Sequence, residues 1–369
     1  MSHTMHLTTV HPRYDTRIFM KECRSLVRGG WRVQLVVADS QGDEIRDGVE
    51  IIDIGLLSKN RLWRMITGVY KFFLFANRSK ADIFHIHDPE LLLAAVALKF
   101  FNKRVIYDMH ENLPLQIFSK QWLPSFLRSF ISSSVKVFER IVLAKMEVVM
   151  AADSCVAAYP FLQRVAVVRN FPVISDLAGQ ASSKFDVFTV GYLGGVTTIR
   201  GILDVLAAVQ NLRNCGYELK FQCLGPISSE VAGDQHFQSA LDQGWLIAPG
   251  RVDALDGWAT ISRCHVGVSM LHPQPNYLEA WPTKMFEYMA MSLPVIISDF
   301  PMYQKFINDS KCGLFAESKN VDSIERAILH MISYPKEAIA MGENGKSIAL
   351  RSYTWDAEFL KLLNLYENS

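Results

Sequence analysis

The sequence lacks the features of several protein classes. Its six cysteines include no Cys-x-x-Cys pair, so a cysteine zinc site is not indicated, and reduced core thiols in a cytosolic protein are expected. No run of about 18 uncharged apolar residues is present, and the first residues lack the pattern of a signal peptide, so no bilayer-spanning segment is predicted. A net charge of +1 argues against a dedicated nucleic-acid-binding protein.

The sequence is rich instead in short apolar runs that alternate with helical patterns. Of its 369 residues, 50% are hydrophobic and 20% are charged, which suffices for two domains of about 150–200 residues, each with its own core. Strands are predicted at Met5–Val10, Val33–Ala38, Val49–Ile54, Ile83–His87, Val105–Asp108, Val148–Ala151, Val165–Val168, Val187–Leu193, Leu219–Leu224, His265–Met270, Val295–Ser298 and Gly313–Phe315. The alternation predicts an α/β protein with right-handed crossovers and parallel sheets covered on both faces.

Turn formers and small polar residues divide the chain at residues 170–184. We therefore predict a first Rossmann-like domain over residues 1–172 and a second over residues 184–353. A final helical pattern over residues 354–369 is expected to pack back on the first domain. Two doubly wound domains that face each other would place the carboxyl ends of their strands, where ligands bind, along one cleft.

The most informative segment runs from Glu279 to Pro294, with the sequence EAWPTKMFEYMAMSLP. Pro282 suits the first turn of a helix, and Lys284 and Glu287, three residues apart, share one face of it. The segment offers a carboxylate for vicinal hydroxyls, a cation for phosphate and free amides at the start of the helix. This combination suits a nucleotide sugar. An ordinary Glu–Lys pair on the surface of an amphipathic helix is the alternative.

A second segment indicates a phosphate site. Val187–Leu193 is predicted as a strand, Gly194 and Gly195 as its sharp exit, and Ile199–Val209 as the following helix. Glycines let a backbone approach a phosphate, and the N-terminus of the next helix attracts it. Arg200 would add a charge-assisted hydrogen bond of about 1.5–3 kcal/mol. The spacing is not Gly-x-Gly-x-x-Gly, so a dinucleotide cofactor is not indicated, and a plain turn is the alternative.

These segments, together with others in order along the chain, resemble the retaining GT-B glycosyltransferases of family 4, in their bacterial surface-polysaccharide branch. The resemblance rests on Pro-Thr-Lys-Met-Phe-Glu-Tyr-Met-Ala inside Glu-x7-Glu. Further motifs at the expected places are Thr9–Phe19 with Lys21 and Glu22, Asp82–Pro89, Tyr107–Glu111, Arg169 with Asn170, Gly191–Gly195 with Arg200 and Gly201, and Asn276 with Tyr277. The resemblance covers almost the whole chain.

The resemblance implies a role for each matching residue. Glu287 would hold the ribose hydroxyls of the donor, and Lys284 with Arg200 would contact its diphosphate. Glu279 would lie by the transferred sugar and His110 beside its anomeric carbon, which makes these two the candidate catalytic residues. The candidate donor-binding residues are Gly194, Gly195, Arg200, Thr283, Lys284 and Glu287.

The same resemblance implies a reaction that needs no metal and no cofactor and that retains the anomeric configuration of a UDP- or GDP-sugar. The sequence agrees in lacking Asp-x-Asp, the usual Mn²⁺ or Mg²⁺ site of the other transferase architecture. No carboxylate pair indicates a double-displacement nucleophile, so attack on the same face is predicted, with the leaving phosphate taking the acceptor's proton. Gly195 stands where many family members have a basic residue, and Thr197 or Thr198 would compensate by hydrogen bonding.

Candidate acceptor-side residues follow the first predicted strand. His11, Arg13 and Asp15 lie at its carboxyl end, where function concentrates in α/β domains. Arg17 is a further candidate in the same segment. The alternative is a helix N-cap at Asp15 with solvated charges on either side.

Three more histidines lie on or beside predicted strands. His110 ends one strand, and capping of the following loop is the alternative to its catalytic role. His85 and His87 face one side of another strand, a spacing at which two histidines could bind a metal. Asp88 is the only further ligand evident in the sequence, so a core role at the strand end is preferred and no metal site is predicted.

Two basic segments of the first half indicate contact with an anionic membrane. Arg61–Lys80 holds five basic residues and no acidic one, and Gln116–Lys145 adds further basic residues, with Trp122, Phe126 and Phe130. In the first segment Arg64, Lys71 and Arg78 share one helical face. A second face gathers Leu62, Ile66, Val69, Tyr70 and Phe73. The alternative is a pair of helices packed on their sheet with solvated cations.

The sequence therefore predicts transfer of a sugar from a nucleotide diphosphate sugar to a hydroxyl of a glycan or lipid-linked glycan, as in capsule, O-antigen or exopolysaccharide assembly. The predicted location is the cytoplasm, with peripheral contact at the inner face of the cytoplasmic membrane. One alternative is a nucleotide-sugar epimerase of the same architecture, which would turn over the donor without an acceptor. A second is a non-catalytic partner subunit that binds the nucleotide sugar.

Overall fold

The computed structural model describes residues 1–57, 61–110, 112–119, 123–178, 183–278 and 280–368, and for residues 61, 62, 64, 65, 119, 154, 178 and 276 it describes the backbone alone. The chain forms two compact units. Met1–Asn170 with Asp356–Ser369 make up the first unit, and Phe171–Trp355 make up the second. The assignment of acceptor binding to the first predicted domain and donor binding to the second stays a prediction.

The first unit is built on an eight-stranded sheet. Its strands are β1 (His3–Leu7), β2 (Arg32–Val37), β3 (Glu44–Arg46), β4 (Val49–Asp53), β5 (Ile83–Ile86), β6 (Arg104–Met109), β7 (Glu147–Met150) and β8 (Arg164–Val167). Their order in the sheet is β3-β4-β2-β1-β5-β6-β7-β8. Neighbouring strands pair in parallel, except that β3 runs antiparallel to β4 at the sheet edge.

Helices connect the strands of the first unit. A π-helical turn at Ile18–Cys23 continues into α1 (Arg24–Arg28), and a 3-10 turn at Pro89–Leu91 leads into α3 (Leu92–Phe100). The α-helices after α1 are α2 (Arg61–Arg78), α3 (Leu92–Phe100), α4 (Leu113–Ser119), α5 (Ser125–Leu143) and α6 (Asp153–Ala158).

The two faces of this sheet have different contents. On one face, Phe72 of α2, Leu98 of α3 and Leu143 of α5 share a core with strand residues such as Phe84 and Met5. Because side chains alternate along a strand, their neighbours point to the opposite face. That second face bears the buried histidines His6 and His85.

The second unit is built on a six-stranded, all-parallel sheet. Its strands are β9 (Phe188–Leu193), β10 (Leu219–Leu224), β11 (Leu246–Gly250), β12 (Val266–Ser269), β13 (Val295–Ser298) and β14 (Gly313–Ala316), in the order β11-β10-β9-β12-β13-β14. Strands of a parallel sheet are buried on both faces, and this explains their continuous apolar runs. Val205, Phe221 and Ile328 belong to the core on one face.

Helices cover both faces of the second sheet. They are α7 (Ile174–Ala178), α8 (Ile202–Asn214), α9 (Ser229–Ala232), α10 (Gln235–Asp242), α11 (Ala254–Ser262), α12 (Pro275–Leu278), α13 (Thr283–Ala290), α14 (Pro301–Ser310), α15 (Val321–Ser333) and α16 (Pro335–Ser352), with a 3-10 turn at Thr198–Arg200 before α8. The last helix, α17 (Trp355–Glu367), belongs to the first unit from Asp356 onward.

The predicted α/β architecture with parallel sheets is confirmed, and every predicted strand overlaps an observed one. Two strands were missed. Both β3 and β11 are edge strands, and β11 contains Pro249 and Gly250. Proline and glycine are tolerated at a sheet edge, where fewer backbone groups are paired, although they predict a turn in the sequence. Pro282 precedes α13 as its N-cap rather than lying in its first turn.

The basic segment Arg61–Lys80 does form a helix, α2, but its predicted apolar face is partly wrong. Phe72 and Ala76 are fully buried, whereas Ile66 and Tyr70 are exposed. Packing of the helix on the sheet has selected a face rotated from the predicted one. The side chains of Leu62 and Arg64 lie outside the described residues. Among the residues that are described, no helix combines the length and apolar character needed to cross a bilayer.

One acidic residue of the basic helix α5 points inward. Glu139 is fully buried, and its Oε2 accepts a hydrogen bond of 2.7 Å from the hydroxyl of Tyr159. Burial raises the pKa of Glu139 from about 4.5 to about 7, despite the opposing effect of that hydrogen bond. The folded state therefore holds a proton at this position that the unfolded chain releases near pH 4.5.

We predict that Glu139→Gln stabilises the protein at pH 8. Above pH 7 the native chain must bury a charged carboxylate, which costs roughly 3 kcal/mol for a pKa raised by about two and a half units. A glutamine removes that charge and keeps an acceptor for Tyr159. Thermal unfolding should show a higher Tm for the variant at pH 8 and little difference at pH 4.5. A lower Tm at pH 8 would contradict the assignment.

Candidate functional site

A tight glycine turn follows the central strand β9 of the second unit. Gly194 has a φ of +141° and donates its N–H to the carbonyl of Leu224 at 2.8 Å. Gly225 passes so close that a Cβ atom added to it would lie 2.0 Å from the Gly194 carbonyl oxygen. Glycine is required at position 225, because the two backbone segments could not otherwise approach each other, and the positive φ of Gly194 also favours glycine.

Two cationic side chains converge on this turn. A Cβ atom placed on Gly194 would lie 3.0 Å from Nζ of Lys284 and 3.2 Å from Nη1 of Arg200. Lys284 donates to the hydroxyl of Tyr192 at 2.8 Å and lies 4.0 Å from the centre of that ring. The Tyr192 hydroxyl in turn donates to the carbonyl of Gly195 at 2.7 Å. Tyr192 thus fixes Lys284 against the backbone of the turn.

The local fold brings Arg200 to the same place. Arg200 ends the 3-10 turn Thr198–Arg200, and Gly201 then takes a left-handed φ of +69° before α8 begins. A side chain at Gly201 is impossible here, since its Cβ would lie 1.9 Å from the carbonyl oxygen of Met270. The chain therefore reverses sharply, and the guanidinium of Arg200 lies over the glycine turn.

Among the described residues, neither of the two cations forms a close ion pair with a carboxylate. Within the part of the chain that the structure describes, no carboxylate oxygen lies within 4 Å of the charged nitrogens of Arg200 or Lys284. The pKa of Lys284 lies well below its ordinary value, mainly because the side chain is buried and secondly because Arg200 repels its charge. The attraction of Glu287 opposes these two effects. An anion bound at the turn would relieve that repulsion and raise the pKa of Lys284.

Two hydroxyl groups beside the turn are also unsatisfied. The Oγ1 atoms of Thr197 and Thr198 are buried and have no hydrogen-bond partner among the described residues. Buried polar atoms without partners are uncommon in native proteins and indicate a missing ligand or water. These are the two threonines expected to compensate for Gly195. Their position next to the cations adds neutral hydrogen-bonding groups to this candidate anion site.

Helix α13 presents the rest of the predicted donor-binding residues. It begins at Thr283, contains Lys284 one residue later and Glu287 one turn on, and Glu287 is buried. The helix is held to the end of β9 by Tyr288, whose hydroxyl accepts a hydrogen bond of 3.0 Å from the Leu193 amide. The structure therefore brings together Gly194, Gly195, Arg200, Thr283, Lys284 and Glu287 around one turn and one short helix. Glu279, the second catalytic candidate, lies outside the described residues.

The residues that hold this site in place could not be predicted from the sequence. Tyr192 and Tyr288 contact partners 92 and 95 residues away in the sequence. Each lies in an apolar run that is equally typical of residues with no role beyond packing in the hydrophobic core. Tyr288 packs over Gly267, where a Cβ would lie 2.3 Å from its ring, and no local pattern reveals that fit.

The first unit gathers a second set of candidates at the carboxyl ends of β1, β5 and β6. His110 follows β6 and is half-buried, with its Nε2 3.2 Å from Oδ2 of Asp108. Its ring stacks on that of His11 at a centroid distance of 5.1 Å. Asp108 is also bound by Arg17 through two hydrogen bonds of 2.8 Å. Burial alone would raise the pKa of Asp108. The attraction of Arg17 and of His110 outweighs burial and holds this pKa well below its ordinary value.

His11 is positioned by Asp88. Its Nδ1 lies 3.0 Å from Oδ1 of Asp88, and Asp88 also accepts hydrogen bonds from the hydroxyl of Thr8 and the amide of Thr9. Burial favours the neutral forms of both groups, but their mutual attraction outweighs it. The pKa of His11 is raised, and that of Asp88 is lowered to about 2. His11 and His110 are thus brought together at one end of the sheet.

The other two acceptor-side candidates have internal partners. Arg13 is buried and forms two hydrogen bonds, of 2.8 and 2.6 Å, with Asp39. Asp15 accepts the amides of Arg17 and Ile18, which is the capping role considered as the alternative for this residue. The flanking charges are not solvated, because Arg13 and Arg17 are both buried. Acceptor binding by this segment stays a prediction.

The comparisons with known proteins identify the class of the chain. The family model described as Glycosyltransferase Family 4 matches residues 17–159, and the one described as Glycosyl transferases group 1 matches residues 190–348. Together these matches span most of both units. The chain belongs to the GT-B glycosyltransferases of the family 4 type.

Solved structures of similar fold agree with this class. Sucrose-phosphate synthase from Thermosynechococcus elongatus is similar with a TM-score of 0.74 and 16% identity, over 99% of this chain and 98% of that one. Alr3699/HepE from Anabaena, in complex with UDP and glucose, has a TM-score of 0.71 and 12% identity over 100% of both chains. WaaG, a glycosyltransferase involved in lipopolysaccharide biosynthesis, has a TM-score of 0.71 and 13% identity over 100% of both chains. Among curated proteins, none matches this chain.

We predict that the contribution of His11 to stability depends on pH. A pKa raised by Asp88 means that the folded state binds a proton more tightly than the unfolded chain. This stabilisation is fully present below about pH 6.5 and is lost as the pH rises through the raised value. His11→Ala should therefore lower Tm more at pH 5.5 than at pH 9.

The matched control for this measurement is His236→Ala, because His236 is exposed on α10. Its Tm should equal that of the native protein at both pH values. A loss of stability in His11→Ala that is the same at pH 5.5 and pH 9 would show that Asp88 does not hold His11 in its charged form.

Proposed function

We propose that the chain transfers a sugar from a nucleotide diphosphate sugar to an acceptor hydroxyl with retention of anomeric configuration. The observation that supports this most directly is the convergence of Arg200 and Lys284 on the Gly194 turn. Two adjacent cations, a glycine backbone and unsatisfied hydroxyls suit the two phosphates of such a donor.

Each predicted donor-binding residue has a role in this proposal. Arg200 and Lys284 bind the diphosphate, the amides of Gly194 and Gly195 approach it, and Thr283 begins the helix whose N-terminus faces it. Glu287, buried one turn further along α13, accepts hydrogen bonds from the ribose hydroxyls. Thr197 and Thr198 supply the hydrogen bonds for which Gly195 has no side chain.

The reaction follows from where charge develops. As the bond between the anomeric carbon and the phosphate oxygen breaks, negative charge grows on the diphosphate, and the preorganised cations stabilise it more in the transition state than in the ground state. The acceptor hydroxyl attacks from the same face, forms the new glycosidic bond and gives its proton to the departing phosphate. His110 and Glu279 are the proposed catalytic residues. No protein carboxylate acts as a nucleophile in this scheme.

The nucleotide is proposed to be uridine diphosphate, with a GDP-sugar as the alternative. Structures similar in fold include Alr3699/HepE in complex with UDP-glucose and a protein from E. coli bound with UDP-2-fluoro glucose. The chemistry requires no metal in this proposal, because Arg200 and Lys284 supply the positive charge that a metal ion supplies elsewhere.

The acceptor is proposed to be a lipid-linked glycan of a bacterial surface polysaccharide. WaaG, one of the proteins of similar fold, is involved in lipopolysaccharide biosynthesis. In the first unit, α5 exposes Phe126 and Phe130 beside its basic residues, and α2 exposes Ile66 and Tyr70. Exposed aromatic residues next to cations suit peripheral contact with an anionic membrane, where each basic residue contributes about 1 kcal/mol.

We predict that Arg200→Ala and Lys284→Ala each lower turnover at least about tenfold, because each removes a cation that stabilises the leaving diphosphate. The measurement is nucleotide release from UDP- and GDP-sugars, with and without lipid-linked glycan acceptors. Exposed residues of the same unit provide matched controls, Arg326→Ala and Lys220→Ala.

Equal activity in the site variants and their controls would refute the assignment of the two cations. The same assay separates the alternative functions. Conversion of the donor to an epimer without an acceptor would indicate an epimerase. Donor binding without nucleotide release under every condition would indicate a non-catalytic partner subunit.

We predict further that the double variant Phe126→Ser, Phe130→Ser binds anionic phosphatidylglycerol vesicles at least about tenfold more weakly than the native protein, because it removes two exposed apolar side chains. The matched control is Ile45→Ser, Leu360→Ser, which alters two exposed apolar residues elsewhere in the first unit. Co-sedimentation with vesicles measures the difference. Undiminished binding of the Phe126 and Phe130 variant would exclude α5 from the membrane contact.

A further inference from the structure

A buried tyrosine of α14 fixes the backbone of the segment that leads into α13. The side chain of Tyr303 is fully buried. Its hydroxyl lies 2.5 Å from the carbonyl oxygen of Ala280 and 3.1 Å from that of Tyr277. A tyrosine hydroxyl has one hydrogen, which is shared here between the two acceptors. Tyr303 therefore holds the backbone at two points, one in α12 and one shortly before α13.

Aromatic packing fixes Tyr303 itself. Its ring stacks on that of Trp281 at a centroid distance of 5.8 Å and an interplanar angle of 27°, and Phe300 packs against it at 5.2 Å. Trp281 in turn contacts Phe286 of α13 at 5.8 Å. The position of the Tyr303 hydroxyl is therefore set by close packing between α13 and α14, and this hydroxyl in turn restrains α12.

The side chain of Tyr277 extends from this restrained backbone to the cations of the glycine turn. The guanidinium of Arg200 is hydrogen-bonded to the hydroxyl of Tyr277 and to that of Tyr192. A guanidinium has only N–H donors, so in both contacts the hydroxyl oxygen is the acceptor. Arg200 thus lies against two phenolic hydroxyl groups, one from β9 and one from α12.

The two hydroxyls differ in what is left for their hydrogens. That of Tyr192 donates to the carbonyl of Gly195 at 2.7 Å and also accepts a hydrogen bond from Lys284, so its hydrogen has a partner. For the hydroxyl hydrogen of Tyr277, the described part of the chain provides no acceptor. The O–H of Tyr277 can therefore bond a ligand that lies beside Arg200.

The chemistry of this pair favours an anionic ligand. Because Arg200 bonds the oxygen of the Tyr277 hydroxyl, it polarises the O–H group and makes it a stronger donor. Hydrogen bonds to an ionised acceptor are shorter and stronger than those between neutral groups. A phosphate oxygen beside Arg200 would accept the tyrosine hydrogen and would also interact with the guanidinium charge. A sugar hydroxyl would gain only the hydrogen bond.

We propose that Tyr277 is a further donor-binding residue, whose hydroxyl donates to a phosphate oxygen of the nucleotide diphosphate sugar beside Arg200, and that Tyr303 is the positioning residue that holds it there. This inference rests on the proposed function. Tyr277 also belongs to the Asn276–Tyr277 motif, for which the resemblance implied no role. Tyr303 acts through the backbone of α12 and does not itself contact the donor.

The test is the affinity of the full chain for UDP and GDP, measured by titration calorimetry, with uridine and guanosine as probes that lack phosphates. Tyr277→Phe removes one hydroxyl and keeps the ring. It should weaken binding of the preferred nucleoside diphosphate by about tenfold and leave nucleoside binding unchanged. The matched control is Tyr217→Phe, because Tyr217 is exposed in the same unit, and it should bind as the native protein does.

Tyr303→Phe tests the positioning role. Alone, it should weaken binding of the same diphosphate by at least about threefold, because α12 loses its restraint. Combined with Tyr277→Phe it should cause no further loss, since Tyr303 acts on binding through Tyr277. Additive losses would show that Tyr303 affects binding by another route. Tyr277→Phe alters only a half-buried hydroxyl, so the donor-binding role can be tested even where Tyr303→Phe does not fold.

Three results would overturn the donor-binding role of Tyr277. The first is native affinity for the diphosphate in Tyr277→Phe, and the second is an equal loss for the diphosphate and its nucleoside. The third needs no variant: a crystal structure with the bound diphosphate in which the Tyr277 hydroxyl lies more than about 4 Å from every phosphate oxygen.

Failure of the proposed function gives a different pattern. Native protein that binds neither UDP nor GDP would refute the proposed function and this inference together. If the native protein binds, Arg200→Ala loses binding and Tyr277→Phe keeps it, only the role of Tyr277 is refuted.

Discussion

Two basic side chains, Arg200 and Lys284, lie side by side at the end of a parallel strand, and contacts around β9 hold them there. Gly194 has no side chain, so Lys284 and Arg200 can both reach the turn. Tyr192 ties Lys284 to the turn, and Tyr288 ties α13 to β9. The repulsion between the cations is a cost of the unliganded protein, and an anion of two or more charges removes it. This preorganisation is what electrostatic catalysis requires.

The first unit also buries charged side chains, but these are of both signs, Asp108 and Arg17. Asp108 is bound by Arg17 and contacts His87 and His110, so one carboxylate links the buried His87 to the half-buried His110. A buried ion pair is costly unless its hydrogen bonds are satisfied, and here Arg17 uses its guanidinium on Asp108 and a backbone carbonyl. The position of His110 therefore depends on Asp108, which Arg17 holds in turn.

The sequence predicted the architecture well because the physics is local. Parallel strands buried on both faces appear as apolar runs, and only the edge strands β3 and β11, which lack that burial, were missed. That Gly194, Arg200, Lys284 and Glu287 lie together could also be predicted, because the strand, the turn and the helix start that carry them are recognisable in order; their role in donor binding stays a prediction. The roles of Tyr192 and Asp108 could not be predicted, since they depend on contacts between residues far apart in the chain. The face of α2 was misjudged for the same reason: packing against the sheet, rather than periodicity alone, decided which side is buried.

The central claim is that the diphosphate of a nucleotide sugar binds at the Gly194 turn between Arg200 and Lys284. A crystal structure of the protein with UDP-glucose tests it most directly. We expect the diphosphate to contact both cationic side chains and the amides of Gly194 and Gly195, with Glu287 bonded to the ribose. A donor bound elsewhere, with Arg200 and Lys284 not contacting its phosphates, would contradict this account.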